Sequence, residues 1–215
     1  MPSIKGTRTE QNLLKSFAGE SQARNRYTFF ASVAKQEGFE QISALFLETA
    51  ENEKEHAKVF FKYLEGGDLE ITAAYPAGKI GTTAENLLAS AEGELMEWGT
   101  LYPDFAKVAD EEGFTDIAES YRQIAEVEAH HETRYRKLLA NIENNAVFRK
   151  DGSVKWKCRN CGYIAEGADA PDVCPACHHP RSFYELWVEA YSAPCCRLRA
   201  PASYGCLSWF WSRSP

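Results

Sequence analysis

Glu126-Val-Glu-Ala-His-His131 repeats chemistry that Asn52-Glu-Lys-Glu-His56 has already carried once. Each segment holds a Glu-x-x-His: Glu53 with His56, and Glu128 with His131. On an α-helix, residues three apart share a face with their Cα atoms roughly 5 Å apart, so a carboxylate and an imidazole can converge on one ion. One such pair is weak evidence alone. The stripes around the pairs strengthen it: Ile117, Tyr121, Ile124, Glu128, His131, Tyr135, Leu138 and Ile142 recur at steps of three and four. So do Ile42, Leu45, Thr49, Glu53, His56, Phe60 and Tyr63. Glu and His therefore stand on the face a helix buries. A carboxylate buried without a partner costs several kcal/mol or takes up a proton, so these pairs require a compensating cation.

A further carboxylate lies upstream of each pair, on a helical stripe of its own. Glu20 sits among Leu13, Phe17, Tyr27, Phe30 and Ala34; Glu94 sits among Leu87, Ala91, Trp98, Leu101, Phe105 and Val108. Glu20 to Glu53 is 33 residues and Glu94 to Glu128 is 34, so the chain reads as one helix pair duplicated. Gly19-Glu20 answers Gly93-Glu94, Tyr27 answers Tyr102, and Glu37-Gly-Phe39 answers Glu112-Gly-Phe114. A Glu from each of two helices plus Glu-x-x-His from each of two others is the ligand set of a dinuclear carboxylate site in a four-helix bundle. Singly, Glu20 or Glu94 reads as solvated helix surface and His56 as a satisfied core histidine. Six residues at duplicated spacing reverse that reading.

Helix boundaries follow from caps. Thr7-Arg-Thr-Glu10 is a capping-box pattern and Gly38 a stop, predicting a helix over about 8–37. A second helix runs over about 41–65, close enough behind to be antiparallel. Residues 66–82, with Pro76 and repeated glycines, read as a long crossover. Thr82-Thr-Ala-Glu85 opens a third helix, expected to reach about Glu112 with a kink at Pro103, and a fourth covers about 115–145. Two antiparallel pairs joined by a long crossover give an all-α, ferritin-like four-helix bundle over residues 1–146.

The net charge of −7, with acidic residues spread along helices, makes nucleic acid an unfavourable partner. No apolar run approaches the ~20 residues that span a bilayer, and the first residues lack an apolar signal core, so a cytoplasmic protein is expected. All seven cysteines follow residue 157, which argues against a disulfide framework for the helical body. From Val147 short β-type runs replace the helical pattern, predicting a small β-rich domain over 147–191. Cys158, Cys161, Cys174 and Cys177 form two Cys-x-x-Cys knuckles twelve residues apart, a four-thiolate set for one tetrahedral ion. A segment this short builds little core and needs such a staple. Four thiolates alone fit structural zinc as well as iron. Cys161-Gly-Tyr163 and Cys174-Pro-Ala-Cys177, with Trp156, Tyr163 and Phe183 nearby, look like the two loops of a rubredoxin.

Together these residues resemble the rubrerythrins, which join a ferritin-like di-iron bundle to a rubredoxin-like domain. The resemblance covers about residues 3–191. It is carried by Ala18-Gly-Glu-Ser-Gln-Ala-Arg-Asn-Arg-Tyr27, Glu53-Lys-Glu-His56, Gly93-Glu-Leu-Met-Glu97, Glu128-Ala-His-His131 and both knuckles. It implies Glu20, Glu53, Glu94, Glu128 and His131 as ligands of two irons, with Glu97 and His56 exchanging at one of them as its oxidation state changes. Glu97 lies three residues after Glu94, while its duplicate position holds Ala23, so the two irons are expected to differ in surroundings. Tyr27 and Tyr102 match tyrosines beside the ligands, although a plain core role fits them nearly as well. His130 has no matched role, and His178 and His179 are expected in an exposed loop.

The activity the resemblance implies is reduction of hydrogen peroxide to water in oxidative-stress defence. Electrons would come from NAD(P)H through a separate reductase, since the sequence has no Gly-rich dinucleotide loop. They would pass by the four-cysteine iron to the di-iron site, within a head-to-tail homodimer. An iron-storage ferroxidase would need only the bundle, and a zinc-ribbon binding module would leave the Glu-x-x-His pairs unexplained. Colour separates the last reading, because ferric thiolate is red and zinc thiolate colourless.

Residues 192–215 contain no Asp, Glu or Lys but carry Cys195, Cys196, Cys206, Trp209 and Trp211, matching neither domain. They are expected to be a non-native or disordered tail, prone to oxidation or aggregation. Removing them should leave peroxide turnover per iron unchanged and improve solubility; a large loss of turnover on clean truncation would contradict this reading.

Overall fold

Two helical hairpins make up most of the structure, a computed structural model that describes residues 2–191. The expectation for 192–215 lies outside the described residues. In the first hairpin α1 (Arg8–Gln36) packs along α2 (Glu40–Tyr63). In the second, α3 (Thr83–Met96), a π-helical turn (Glu97–Leu101) and α4 (Tyr102–Glu111) pack in succession along α5 (Thr115–Glu143). Residues 64–82 cross between the hairpins without regular secondary structure. This is the expected ferritin-like bundle.

The caps form where the sequence places them. The Thr82 hydroxyl accepts the Glu85 N–H at 3.3 Å while the Glu85 carboxylate accepts the Thr82 N–H at 2.8 Å. Thr7 accepts from Glu10 in the same way, but the Glu10 carboxylate reaches one residue further back, to the Gly6 N–H at 2.8 Å. Both hairpin turns rely on a left-handed glycine, Gly38 (φ 84) and Gly113 (φ 86), where a Cβ would cost about 1–2 kcal/mol. After each, a phenylalanine N–H closes the helix end: Phe39 to the Ala34 carbonyl and Phe114 to the Ala109 carbonyl, both at 2.8 Å.

The expected single helix to Glu112, kinked at Pro103, does not form. The break comes earlier, at the π turn, and its cause is visible in the repeat. Glu20 and Tyr27 are seven residues apart, whereas Glu94 and Tyr102 are eight. The extra residue is absorbed where the Tyr102 N–H bonds to the Glu97 carbonyl, five residues back. One residue turns a helix by about 100°, so the inward stripe expected at Trp98, Leu101, Phe105 and Val108 shifts. Tyr102, Ala106 and Ala109 are buried in their place. Pro103 falls in the first turn of α4, where its missing N–H is tolerated.

Two apolar cores lie along the bundle. One contains Tyr27, Phe30, Phe46, Leu87, Tyr135 and Leu138. The other contains Leu13, Phe60, Tyr102, Ile117, Tyr121 and Ile124. Each long helix passes from one core to the other, and Glu20, Glu53, Glu94 and Glu128 fall at the passage. The carboxylates are thereby sealed between two apolar blocks.

The small domain is a three-stranded antiparallel sheet, ordered β2 (Ile164–Asp169), β1 (Arg149–Cys158), β3 (Tyr184–Leu186). Its core gathers Trp156, Ala170 and Tyr184 around Cys158 and Cys174. It meets the bundle at the α1–α2 turn, where Phe148 stacks on Phe39 with centroids 6.2 Å apart.

Candidate metal centres

The duplicated helices bring their acidic and imidazole groups together in two overlapping clusters. One comprises Glu20, Glu53, His56 and Glu128, the other Glu53, Glu94, Glu128 and His131, with one ligand atom from each residue lying within 4.8 Å of the rest. Glu53 and Glu128 belong to both. The helix pitch explains this, since each sits three residues before its histidine and faces its counterpart across the bundle. Glu97, also expected here, is buried but stands outside both clusters.

Two tyrosines orient the unshared carboxylates across the repeat. Tyr27 Oη donates to Glu94 Oε1 at 2.5 Å, and Tyr102 Oη donates to Glu20 Oε1. Each half of the chain thus holds the other half's glutamate, which exceeds the plain core role open to these tyrosines. Their second oxygens, Glu20 Oε2 and Glu94 Oε2, are buried without a hydrogen-bond partner, as are Glu53 Oε1, both Glu128 oxygens and His131 Nδ1. These atoms crowd together: His131 Nδ1 is 2.7 Å from Glu128 Oε2, and His56 Nδ1 is 2.8 Å from Glu128 Oε1. Buried polar groups are normally hydrogen-bonded. Atoms this close that are left unsatisfied are aimed at shared points between them, and hard oxygen donors with imidazole suit iron.

Electrostatics give the same result. Burial, reinforced by the charges of Glu53 and Glu128, pushes Glu20, Glu94 and Glu97 well above the usual carboxylate range. Burial would raise Glu53 too, but close contacts with His131 and His56 outweigh it and hold Glu53 at about 2. In the histidines burial favours the neutral ring, yet contacts with Glu128 and Glu53 prevail, raising His56 to about 10 and His131 to about 9. The shifts share one cause: the buried carboxylates favour positive charge beside them, which is what a bound cation supplies.

In the small domain, Cys158 and Cys177 Sγ are 3.7 Å apart and Cys161 and Cys174 Sγ 3.6 Å apart. A disulfide would bring sulfurs to about 2.05 Å, whereas a tetrahedron with metal–sulfur bonds of about 2.3 Å has edges of about 3.8 Å. The four free thiols therefore fit one ion. The two knuckles turn alike, each ending in a left-handed residue, Gly162 (φ 81) and His178 (φ 59). The His179 N–H lowers the Cys177 thiol to about 6. At Cys161 the Tyr163 N–H pulls the same way, but the neighbouring sulfurs outweigh it and push the thiol to about 12.

His178 is exposed as expected; His179 is not. The His179 ring packs edge-on against Phe183, centroids 4.5 Å apart, which fixes the second knuckle. His130 is exposed. Sequence reasoning missed Arg26, whose buried Nε has no hydrogen-bond partner and whose charge acts on Glu97. No periodicity marks that residue, since it lies one position before Tyr27 and so off the phase of the stripe that runs from Leu13 to Ala34. The seven-versus-eight spacing, by contrast, could have located the π turn.

Comparison with known proteins agrees with this architecture. A family model described as rubrerythrin matches residues 11–139, and one described as rubrerythrin, rubredoxin-like domain matches 156–185. Rubrerythrin of Porphyromonas gingivalis is 62% identical over 183 residues, covering 85% of this chain and 92% of its own. Rubrerythrin of Nitratidesulfovibrio vulgaris is 55% identical over 186 residues, covering 86% and 97%. Among solved structures, fully reduced, all-ferrous nigerythrin aligns with a TM-score of 0.57 at 29% identity, covering 86% of this chain and 91% of that one.

The raised groups fix a pH dependence for the metal-free protein. Each binds its proton more tightly folded than unfolded, so its contribution is full below the unfolded value and lost as pH rises towards the folded one. For His56 and His131 that window opens at 6.5 and closes at about 10 and about 9. The raised carboxylates act in the same direction from 4.5 upward; depressed Glu53 acts oppositely only below 4.5, and depressed Cys177 opposes between about 6 and 9, one group against two histidines and three carboxylates. The melting temperature of metal-free protein should therefore fall as pH rises through that window, and the gain on anaerobic ferrous loading should grow, because metal displaces protons. Circular-dichroism melts check this; a rising melting temperature of the metal-free form would contradict it.

Proposed function

Because the chain belongs to the rubrerythrin family, we propose that it is a peroxidase that reduces hydrogen peroxide to water with electrons from NAD(P)H, delivered by a separate reductase. The family comprises di-iron oxidative-stress proteins, and this chain carries both a ferritin-like di-iron site with Glu and His ligands and a rubredoxin-like four-cysteine iron site. The observation that carries the proposal is the pair of overlapping clusters sharing Glu53 and Glu128, in one chain with a four-thiolate site. Storage would need only the first of these.

In this reading Glu53 and Glu128, common to both clusters, would hold the iron pair together with Glu20, Glu94, His56 and His131. Cys158, Cys161, Cys174 and Cys177 hold the relay iron. When bound, the iron pair supplies the two electrons that cleave the peroxide O–O bond, and the thiolate iron supplies their one-electron return. The protein's part is to keep donors fixed and water out. Tyr27 and Tyr102 retain their protons, burial and neighbouring carboxylates pushing both well above the usual phenol range. Their Oη atoms therefore remain donors and pin Glu94 and Glu20. His56 stands inside its cluster and Glu97 outside it, which supports an exchange of these two side chains at one iron. Among the described residues no helix is long and apolar enough to cross a membrane, in keeping with the proposed cytoplasmic enzyme.

Distance favours electron transfer between subunits. The small domain packs at the Phe39 end of the bundle, and at 1.5 Å per residue Glu20 lies roughly 25 Å along α1 from that end. A head-to-tail homodimer brings one subunit's four-thiolate iron beside the other's di-iron site. Mixed dimers of a Cys158→Ala subunit and a Glu128→Ala subunit then contain one working pair of sites and should recover part of the NAD(P)H-driven, anaerobic peroxide turnover that each parent lacks. Verified heterodimers with correctly metallated remaining sites and no recovery would point to transfer within one subunit. Wild-type protein that leaves peroxide unreduced would overturn the peroxidase itself.

A further inference from the structure

Between α1, the π turn, α4 and the crossover lies a cavity of about 320 Å³. Glu97 and Tyr102 form part of its wall, and Ala74, Tyr75, Pro76, Met96, Leu101 and Phe105 make much of the rest apolar. The crossover is tied over it, Tyr75 Oη donating to the Lys15 carbonyl at 2.8 Å. Glu97 is 8% exposed, whereas Glu20, Glu94 and Glu128 are 0% and Glu53 1%. Of the buried acids, Glu97 is therefore the one that reaches this cavity. Arg26 lies on the same wall, bringing a guanidinium side chain to it.

Hydrogen peroxide needs little more room than a water molecule, whose share of liquid volume is about 30 Å³. The cavity is about ten times that and falls in the size range of small-molecule sites. An apolar chamber with one carboxyl group and one guanidinium beside the reacting centre suits a molecule with an apolar body and a polar end. Resting on the peroxidase reading, we propose that this cavity is a substrate site for small organic hydroperoxides, its apolar wall taking the alkyl or aryl group while the hydroperoxide end faces Glu97 and Arg26. The O–O bond breaks with uptake of two electrons and two protons, supplied by the same NAD(P)H-dependent reductase and by solvent. The carbon-bearing oxygen leaves as an alcohol and the other as water.

Gly93 provides the test. It lies on the cavity wall within α3, and a Cβ there meets nothing within 4 Å. Gly93→Leu therefore adds apolar bulk at the cavity wall from a position where the Cβ itself clashes with nothing, and it removes a glycine from a helix interior. The full-length, iron-loaded protein is assayed anaerobically with hydrogen peroxide and cumene hydroperoxide, and the metal-free protein is titrated with cumyl alcohol by ligand-observed NMR. Wild type should reduce both peroxides and bind the alcohol. Gly93→Leu should lower the cumene-to-hydrogen-peroxide ratio of kcat/KM by about tenfold or more, as expected when an apolar pocket loses its fit, and abolish alcohol binding; Gly93→Ala should do neither. Wild type that reduces hydrogen peroxide but not cumene hydroperoxide overturns the proposal, as does an equal effect of Gly93→Leu on both. If neither peroxide is reduced, the peroxidase reading fails, and absent alcohol binding then overturns the cavity assignment separately.

Discussion

Glu53 and Glu128 face each other at the middle of the bundle, removed from water, with three of their four oxygens lacking a hydrogen-bond partner. Ionised groups in such a place cost several kcal/mol each unless opposite charge joins them. The rest of the architecture meets this constraint. Two apolar cores seal the polar layer from either side, two tyrosines fix the outer carboxylates, and two histidines stand one helical turn from the shared pair. Replacing buried charges by hydrophobic groups of similar volume is often neutral or stabilising. What the bundle gains from the charges is a place for cations, and that purpose gives the buried acids a physical rationale.

Duplication supplies the near-symmetry of the site, and one extra residue breaks it. The π turn rotates everything after Glu97 by about 100° relative to a continuous helix. Tyr102 is thereby turned inward to Glu20, and Glu97 is left at the edge of the polar layer beside a cavity. The first half has Ala23 at the corresponding position and an unbroken helix. One side of the cluster is thus closed by packing, while the other has a buried carboxyl group at its edge with a cavity outside it.

Much of this was legible in the chain itself. Stripes with steps of three and four placed Glu20, Glu53, Glu94 and Glu128 inside, because a buried helix face has only one period, and all four are 0–1% exposed. Paired Cys-x-x-Cys spacing gave the second site for a similar reason: the knuckle is a local turn whose geometry its own residues set. The stripe after Glu97 was misread because a fixed period cannot register a one-residue insertion. His179 was misread because its packing on Phe183 is a contact between residues of no fixed spacing. Arg26 and the cavity under the crossover depend on how residues 64–82 lie across the bundle, and a segment with no periodicity does not declare its path.

The central claim is that one buried carboxylate serves two metal ions at once. Iron analysis with the visible spectrum of the Glu53→Ala variant tests it most directly, since Glu53 belongs to both bundle clusters and to neither cysteine knuckle. The account predicts that this variant loses both bundle irons together while the ferric-thiolate absorption of the small domain stays at its wild-type intensity. Retention of either bundle iron at wild-type occupancy would contradict it.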